Sequence, residues 1–199
     1  MMPVVPPAYR GRFAPSPSGP LHFGSLIAAV GSYLQAKAHQ GQWLVRMEDI
    51  DSPRMQAGAA ESILRTLERY QLLWDGEVWV QSQRLDRYQQ VLDQLKQQQL
   101  TYGCHCNRAR IQSLPHGYDG CCRDKQLTEG MLAWRLKAPA TAPSFTDLLA
   151  GEVQIPSALA AEDYILKRRD GLFAYQLVVV VDDLDQGITE VVRGADLID

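Results

Sequence analysis

The chain has 199 residues, enough to bury a core as one domain with a small insertion. Its composition is ordinary for a globular protein, and no apolar run approaches the roughly 20 residues of a membrane span. Residues 1–7 lack the basic and apolar regions of a secretory signal, so none is expected. The net charge is −3, so a nucleic-acid partner would have to meet a local basic patch.

The first predicted elements are a strand, a stiff loop and a helix. Tyr9–Ala14 favours a strand, because Tyr and Phe suit a pleated surface and Pro15 cannot continue a ladder. Three prolines and a glycine then hold the backbone extended. From Leu21 to about His39 the pattern is helical, with these apolar positions on one face: Phe23, Leu26, Ile27, Val30, Tyr33 and Leu34. Together these elements favour phosphate binding at the helix N-terminus.

His22 and Gly24 support a phosphate site. A histidine in the first turn can donate to a phosphate oxygen, and a glycine lets a nucleotide lie close to the backbone. The structural alternative is a buried loop histidine beside a packing glycine.

The next segment, Trp43–Met47, is predicted to be a buried strand. Strand, helix and strand at this spacing indicate a βαβ unit, hence a parallel sheet with a right-handed crossover. Ligands bind such sheets at the carboxyl ends of the strands, where Pro15–Gly19 and Glu48–Asp51 both fall. The alternative for the acidic residues is a solvated turn, with Asp51 or Ser52 as a helix cap.

The later elements follow from periodicity and turn residues. Helices are predicted at about Ala57–Tyr70 and Leu85–Gln99, both with core-facing apolar stripes, and a short strand at Val78–Gln81 separates them. The remaining predicted elements are an exposed strand at Ala133–Lys137, a hairpin over Ser144–Ile155, and strands at Tyr164–Arg168 and Ile188–Arg193. Phe173–Asp183 has β propensity.

Four cysteines, Cys104, Cys106, Cys121 and Cys122, lie within nineteen residues. In an intracellular chain such crowding favours a metal over disulfides, and a tetrahedral zinc site needs four ligands. Cys104, Cys106 and Cys122 would supply three. The candidates for the fourth are His105, His116, Tyr118 and Cys121, and chemistry alone favours Cys121 or His116 because phenolate is an unusual zinc ligand. The alternative is a set of free buried cysteines.

Basic residues surround this segment: Arg108, Arg110, Arg123 and Lys125. They would form either a solvated charged surface or a patch that contacts an RNA backbone.

The stretch Arg12–Ser25 closely resembles the ATP-binding signature of class I aminoacyl-tRNA synthetases of the glutamyl/glutaminyl branch. The family's His-Ile-Gly-His element matches at His22, Phe23 and Gly24 and departs at Ser25. The resemblance implies His22 and Gly24 as catalytic residues. It also implies an ATP-binding set: Pro15, Ser16, Pro17, Ser18, Gly19, His22, Phe23, Gly24 and Ser25.

Glutamate is the amino acid that the resemblance implies. Arg46–Asp51 resembles the family's Arg-x-Glu-Asp-x-Asp motif, whose Glu contacts the ammonium group, and this role carries over to Glu48. Tyr175 and Arg193 match family positions that hold the amino acid. An arginine fork suits a carboxylate, and Arg12 would serve the same end. The implied glutamate-binding set is Arg12, Phe13, Ala14, Pro15, Ser16, Glu48, Tyr175 and Arg193.

The cysteine segment resembles the zinc site of glutamyl-Q tRNA(Asp) synthetases, in which a tyrosine is a ligand. The resemblance implies one structural zinc per chain, held by Cys104, Cys106, Tyr118 and Cys122, with Cys121 spare. It also implies the acceptor of the glutamyl group, the queuosine base in the anticodon of tRNA(Asp).

The implied fold is α/β, a Rossmann-type parallel sheet with helices on both faces and a small zinc-binding insertion. Residues 1–100 would form the first half of the catalytic domain, 101–128 the zinc-binding insertion, and 129–199 the rest of the insertion with the second half. The family segment that matches Phe173–Asp183 is helical, so a helix is predicted there against its propensity.

The implied activity is activation of glutamate with ATP and Mg²⁺, followed by transfer to tRNA(Asp) bearing queuosine. A cytoplasmic monomer with no membrane partner is expected. Two alternatives stay open: a fragment of an ordinary glutamyl-tRNA synthetase, and a non-catalytic RNA- or partner-binding paralogue. The family's mobile Lys-Met-Ser-Lys-Ser loop lies beyond Arg-Gly-Ala-Asp, so the sequence predicts a truncated chain.

Overall fold

The structure, a computed structural model, describes residues 8–115, 117–138, 144–156 and 162–194, except for the side chain of Ser52. The chain divides into two compact units. The first unit is Met1–Leu85 with Val180–Asp199, and the second unit is Asp86–Val179. The domain boundaries at residues 100 and 128 stay a prediction.

The first unit is built on a parallel sheet with the strand order β1-β2-β3. Its elements are β1 (Arg10–Phe13), α1 (Phe23–Ala38), β2 (Gln42–Met47), a 3₁₀ turn (Ser52–Arg54), α2 (Ala59–Arg69), β3 (Trp79–Val80) and a second 3₁₀ turn (Gln81–Arg84). Phe13 on β1 pairs with Val45 on β2, and Met47 on β2 pairs with Val80 on β3. The parallel βαβ unit predicted from the sequence is confirmed.

The face that α1 buries differs from its predicted apolar face. Ala29, Ser32 and Ala36 are the buried residues of α1, and Ser32 Oγ accepts a hydrogen bond of 2.9 Å from Trp43 Nε1. Four of the six predicted apolar positions of α1 are exposed, Phe23 at 78 %, whereas Leu26 is half-buried and Tyr33 packs against the core. Small residues bring α1 close to the sheet, and the bulky ones line a groove on its outer side with Tyr70. Tyr70, predicted as core at the end of the second helix, is exposed.

The second unit contains an antiparallel sheet with the order β4-β5-β8 and a separate hairpin of β6 and β7. Its elements are α3 (Leu85–Gln97), β4 (Thr101–Cys104), α4 (Arg108–Gln112), β5 (Ala133–Leu136), β6 (Ser144–Asp147), β7 (Gly151–Gln154) and β8 (Ile165–Lys167). The hairpin is confirmed. The prediction of β5 as an exposed strand is wrong, because β5 is the middle strand and buries Ala133 and Arg135.

A last helix, α5 (Tyr175–Asp185), begins in the second unit and ends in the first. The helix predicted over Phe173–Asp183 against β propensity is therefore confirmed. No helix in the described part of the chain is both long and apolar enough to cross a membrane.

The strand predicted at Ile188–Arg193 does not form as a strand. Gly187, at φ 63°, ends the turn after α5. Beyond it, the chain meets β1 at one residue, since Thr189 N donates to Arg10 O and Arg10 N donates to Thr189 Oγ1, both at 2.9 Å. Contacts with a single residue of β1 do not continue into a ladder. The last two residues of Arg-Gly-Ala-Asp lie outside the described residues.

Candidate active site and thiol cluster

The loop after β1 and the segment after β2 are joined at the carboxyl ends of these strands. Glu48 N donates to Pro15 O and Gln56 N donates to Pro17 O, both at 3.0 Å. Within the loop, Ser18 N donates to Ser16 O at 2.8 Å. The structure thus brings together the two segments that the sequence placed at one sheet edge, where parallel α/β sheets bind ligands.

The first turn of α1 carries the residues predicted to contact ATP. His22 is the N-cap, and its Nδ1 accepts a hydrogen bond of 3.2 Å from Ser25 N. A Cβ at position 24 would lie 3.1 Å from His22 Cε1, so Gly24 leaves room for this ring. His22, Phe23 and Gly24 are exposed, whereas Pro17 is buried under the loop. The observed role of His22 is to cap α1, and its contact with phosphate stays a prediction.

Arg46 lies at the centre of a buried ion network in the first unit, and its side chain is 0 % exposed. Its Nη2 lies 2.8 Å from Asp183 Oδ1 and donates to Glu48 Oε1 at 3.1 Å. Nη1 donates to Gln186 Oε1 at 2.7 Å, and Nε lies 3.7 Å from Asp182 Oδ2. Because the N–H groups of a guanidinium point in fixed directions, these partners fix the orientation of Arg46.

Arg12 on β1 joins the network through Asp183. Arg12 Nε donates to Asp183 Oδ1 at 3.2 Å, and Arg12 Nη2 donates to Oδ2 at 3.3 Å. The arginine predicted to hold a substrate carboxylate is therefore already paired along one edge with a carboxylate of the protein. The network also extends to Arg84, whose Nε and Nη2 donate to Asp182 Oδ1 at 2.8 Å and to Asp185 Oδ2 at 2.6 Å.

The charge of Glu48 depends on this network. Burial raises the pKa of the Glu48 carboxyl above its ordinary value, and Arg46 and Arg12 offset part of that effect. For Arg46, burial acts to lower the pKa, but Glu48 and Asp183 outweigh it and raise the pKa of the guanidinium. Glu48 is thus a carboxylate that cationic neighbours help to keep ionised, which suits a group that must bind an ammonium ion.

The other residues predicted to bind glutamate lie in several places. Phe13 is buried in the core of the first unit, and Ala14 follows it at the start of the loop. Arg193 is exposed in the segment after α5. Tyr175 is the first residue of α5, belongs to the second unit and is 43 % exposed.

Sequence reasoning missed the partners that α5 and the turn after it supply to Arg46. Asp182, Asp183 and Gln186 follow an apolar run for which the sequence predicts only a helix, against its β propensity. Two adjacent acids at the end of such a run were the available signal. Arg46 and Gln186 are 140 residues apart in the sequence, and no local pattern in either segment indicates that they pair.

The second unit holds a buried thiol cluster formed by Cys104, Cys106 and Cys122, whose Sγ atoms all lie within 4.8 Å of one another. Cys106 Sγ and Cys122 Sγ are 3.6 Å apart. With Zn–S bonds of about 2.3 Å, tetrahedral geometry places ligand sulfurs about 3.8 Å apart. The three thiols that the sequence predicts as ligands therefore fit a metal ion of the size of zinc, and the bound zinc itself stays a prediction.

Tyr118 is the buried oxygen donor next to this cluster. Its Oη lies 3.5 Å from Cys104 Sγ and accepts a hydrogen bond of 3.1 Å from Cys122 N. The guanidinium carbon of Arg135 lies 3.7 Å from the centre of the Tyr118 ring. A cation on the ring face holds the side chain in place, while burial and the hydrogen bond from the Cys104 thiol raise the pKa of the Tyr118 hydroxyl. Tyr118 Oη is close enough to the thiols to be a candidate for the fourth ligand, and that role stays a prediction.

Two other candidates for the fourth ligand also approach the cluster. Cys121 Sγ lies 3.4 Å from Cys106 Sγ and 3.7 Å from Cys122 Sγ. His105 Nδ1 lies 3.5 Å from Cys122 Sγ, but His105 is exposed. His116 lies outside the described residues.

The thiols differ in their readiness to ionise. Burial and the neighbouring sulfurs raise the pKa of Cys106 to about 12. Burial also acts to raise the pKa of Cys122, but hydrogen bonds from the His105 backbone and from neighbouring thiols lower it to about 7. Because zinc binds thiolate, loading the cluster would release a proton from Cys106 at neutral pH.

The predicted basic patch is partly neutralised. Arg110 forms a two-point pair with Asp119, with N···O distances of 3.1 and 2.6 Å, and this pair lowers the pKa of Asp119 to about 2. Arg123 pairs with the buried Asp163. Arg108 and Lys125 are exposed. At these two positions an RNA phosphate would compete least with carboxylates of the protein.

Comparisons with known proteins agree with the family resemblance that the loop after β1 and the parallel sheet support. The family described as tRNA synthetases class I (E and Q), catalytic domain, matches residues 8–199. Glutamyl-Q tRNA(Asp) synthetase from Serratia proteamaculans is 62 % identical over 191 residues, and the protein of that name from Vibrio vulnificus is 57 % identical over 192. Each alignment covers 96 % of this chain and 63 % of the relative, so the chain spans less than two thirds of their length.

Among solved structures, a glutamate tRNA ligase from Elizabethkingia meningosepticum in complex with its amino acid superposes with a TM-score of 0.80. It is 27 % identical, and the match covers 92 % of this chain and 43 % of the ligase.

Proposed function

The chain belongs to the class I tRNA synthetases for glutamate and glutamine, and from this membership we propose that it binds ATP and glutamate and forms glutamyl-adenylate. The observation that carries the proposal is the sheet edge of the first unit. There the Pro15–Gly19 loop is hydrogen-bonded to Glu48, and Glu48 shares one ion network with Arg12. Glutamate carries one ammonium group and two carboxylates, so a buried anion and a buried cation suit its charges.

The chemistry needs no protein nucleophile. The α-carboxylate of glutamate attacks the α-phosphate of ATP, pyrophosphate leaves with Mg²⁺, and the mixed anhydride stays bound. The task of the protein is to align two anions that repel each other. In this proposal His22 and the first N–H groups of α1 contact the phosphates, Glu48 holds the ammonium group, and Arg12 and Arg193 hold carboxylates.

Pyrophosphate exchange with glutamate tests the proposal. The chain should support glutamate-dependent exchange or, as a minimum, bind glutamate in a calorimeter. Arg193→Ala should raise the KM for glutamate by about tenfold or more while leaving the KM for ATP nearly unchanged, because a charge-assisted contact is lost at the amino acid alone. Equal activation of glutamine and glutamate would count against glutamate as the amino acid, whereas the absence of both exchange and glutamate binding would favour the non-catalytic paralogue.

For the acceptor, we propose the queuosine base of tRNA(Asp). The names of the relatives at 57 to 62 % identity and the tyrosine beside the thiol cluster support this choice. Queuosine carries a vicinal diol, so chemistry that normally esterifies a ribose could act on it with little change in mechanism. The test offers tRNA(Asp) with and without queuosine, alongside tRNA(Glu), to the protein with ATP and labelled glutamate. Labelling of tRNA(Glu) would indicate an ordinary glutamyl-tRNA synthetase instead.

For the metal, we propose one structural zinc held by Cys104, Cys106, Tyr118 and Cys122. The burial and mutual distances of the thiols support a closed site without a position for water activation. The zinc would contribute folding free energy to the second unit.

A further inference from the structure

Asp183 contacts two arginines of the network, Arg12 and Arg46. Its Oδ1 lies 3.2 Å from Arg12 Nε and 2.8 Å from Arg46 Nη2, and its Oδ2 lies 3.3 Å from Arg12 Nη2. The side chain of Asp183 is 21 % exposed, whereas that of its neighbour Asp182 is 0 % exposed. The two adjacent acids at the end of α5 are thus placed differently, one at the boundary of the network and one inside it.

The contact with Arg12 decides which edge of that guanidinium is available. A guanidinium has two forked edges, one formed by Nε with the nearer terminal nitrogen and one formed by the two terminal nitrogens. Asp183 occupies the Nε and Nη2 edge. Among the described residues no partner lies on the Nη1 and Nη2 edge, and this edge matches a carboxylate with two parallel hydrogen bonds. Asp183 therefore holds Arg12 so that this second edge can receive an external carboxylate.

The contact with Arg46 connects Asp183 to Glu48. The same nitrogen, Arg46 Nη2, meets Asp183 Oδ1 and donates to Glu48 Oε1 at 3.1 Å. Each of its two hydrogens can serve one carboxylate, so moving one partner moves the other. If Asp183 loses its charge, Arg46 is drawn more strongly to Glu48, and Glu48 is then less available to an ammonium group.

We propose that Asp183 is a positioning residue that orients Arg12 directly and Glu48 through Arg46, and thereby sets the affinity for the amino acid. This inference rests on the proposed function, because it takes Arg12 and Glu48 as the groups that meet glutamate. Asp183 itself touches neither substrate.

The test compares Asp183→Asn with Asp185→Asn, which removes the same charge from the same helix, at a residue paired with Arg84. Glutamate and ATP are titrated separately into each protein in a calorimeter. Asp183→Asn should weaken glutamate binding about tenfold or more and change the Kd for ATP by less than about twofold, since one charge-assisted contact to each of two glutamate-binding groups is disturbed. Asp185→Asn should leave both unchanged within about twofold.

A second measurement keeps the inference testable if binding by the variant is lost through unfolding. In protein labelled with ¹⁵N-arginine, the Arg12 Nε–H signal should be protected from exchange in the parent protein and in Asp185→Asn. It should shift and exchange faster in Asp183→Asn, and Asp183→Glu should restore part of the glutamate affinity. Parent-like glutamate affinity in Asp183→Asn would overturn the inference while leaving the proposed function intact. Failure of the parent to bind glutamate would overturn both.

Discussion

Both units bury polar groups, but these groups are satisfied in different ways. Around Arg46 in the first unit, carboxylates and an amide supply strong acceptors at 2.7 to 3.1 Å. Around Cys106 in the second unit, the polar neighbours are other thiols at 3.4 and 3.6 Å, and thiols are weak donors and acceptors. The ion network carries its own counter-charges, whereas the thiol cluster needs a cation to make its geometry favourable.

Under the proposed function, this difference separates a substrate site in the first unit from a metal site in the second. Desolvated charges are kept when they are paired and hydrogen-bonded, and such pairs hold donors in fixed directions for a ligand that comes and goes. A thiolate set binds its metal so tightly that the metal becomes part of the fold. The predictions below test the contrast.

Removing a thiol should have the largest effect. Cys122→Ser should abolish metal binding, from one zinc per chain to near zero, because a buried ligand is lost from a site where structural zinc contributes about 10–16 kcal/mol in small zinc domains. Elemental analysis after zinc-supplemented expression measures the content. Hydrogen exchange should show opening of residues 101–128 while β1 and β2 stay protected. A full complement of zinc in Cys122→Ser would mean that the cluster is not the site.

Breaking the ion network should have the second-largest effect, a loss in the free energy of unfolding. Arg46→Met takes the paired cation from the buried Glu48 and removes one of the two arginines that contact each of Asp182 and Asp183, and removing one partner of a buried pair costs about 3–5 kcal/mol. Urea denaturation of the metal-free protein measures it. Arg54→Met is the matched control, since its side chain is 79 % exposed and its pair with Asp51 lies on the surface, so a change below about 0.5 kcal/mol is expected. Parent-like stability in Arg46→Met would show that the network contributes little.

The sequence predicted the strands, loop and helix around the sheet-edge site of the first unit, and the cysteines that form the thiol cluster of the second. The Pro15–Gly19 loop, the βαβ unit and Glu48 followed from turn residues and periodicity, which are local signals. The thiols were found because spacing along the chain limits the choice of metal ligands. The pairing of Arg46 with Asp183 and Gln186 was missed, because long-range ion pairs leave no local pattern.

Burial was the other failure of sequence reasoning. The alternation of apolar and charged residues in Ala133–Lys137 predicts an exposed strand, with Arg135 in its middle. Arg135 is 2 % exposed, and its Nη1 donates to Asp163 O at 2.6 Å while its guanidinium covers the Tyr118 ring. On α1 the error was the opposite one, because apolar residues predicted to face the core are exposed. The small Ala and Ser residues pack closely on the sheet, and most of the bulky residues remain on the outer side. Periodicity shows that a helix has faces and does not show which face is buried.

Asp163 links Tyr102, Arg123 and Arg135, and its charge is expected to make the stability of the second unit depend on pH in the acid range. Its carboxylate accepts hydrogen bonds from Tyr102 Oη at 2.5 Å, Ala138 N at 2.8 Å and Arg123 Nε at 2.9 Å. Burial acts to raise the pKa of Asp163, but these donors outweigh it and lower the pKa below the ordinary value. The stability from Asp163 is therefore present above the unfolded pKa of about 3.9 and lost as pH falls through the lower folded pKa.

Asp163→Asn should cost about 1–3 kcal/mol at neutral pH, because buried donors lose their charged acceptor. Below about pH 4 the difference from the parent protein should shrink, since the parent then protonates the same carboxyl. Urea midpoints between pH 2.5 and pH 7 measure both effects. Asp170→Asn, in a half-exposed pair with Arg168, is the control and should track the parent at every pH. A constant deficit for Asp163→Asn across the range would contradict the role of its charge.

The smallest expected effect distinguishes the candidates for the fourth zinc ligand. Tyr118→Phe removes the oxygen that lies 3.5 Å from Cys104 Sγ but keeps the ring under Arg135, so packing is preserved and only a ligand is lost. Zinc affinity should fall about tenfold, or about 1.4 kcal/mol, measured by competition with a chromogenic chelator. Cys121→Ser should leave the affinity within about twofold, because three thiols and the phenolate already complete a tetrahedral shell.

A loss on Cys121→Ser with none on Tyr118→Phe would assign the fourth position to Cys121, whose Sγ is 3.4 Å from that of Cys106. The thiol cluster would then be an all-sulfur site, and the tyrosine beside it would no longer support the choice of tRNA(Asp) as acceptor.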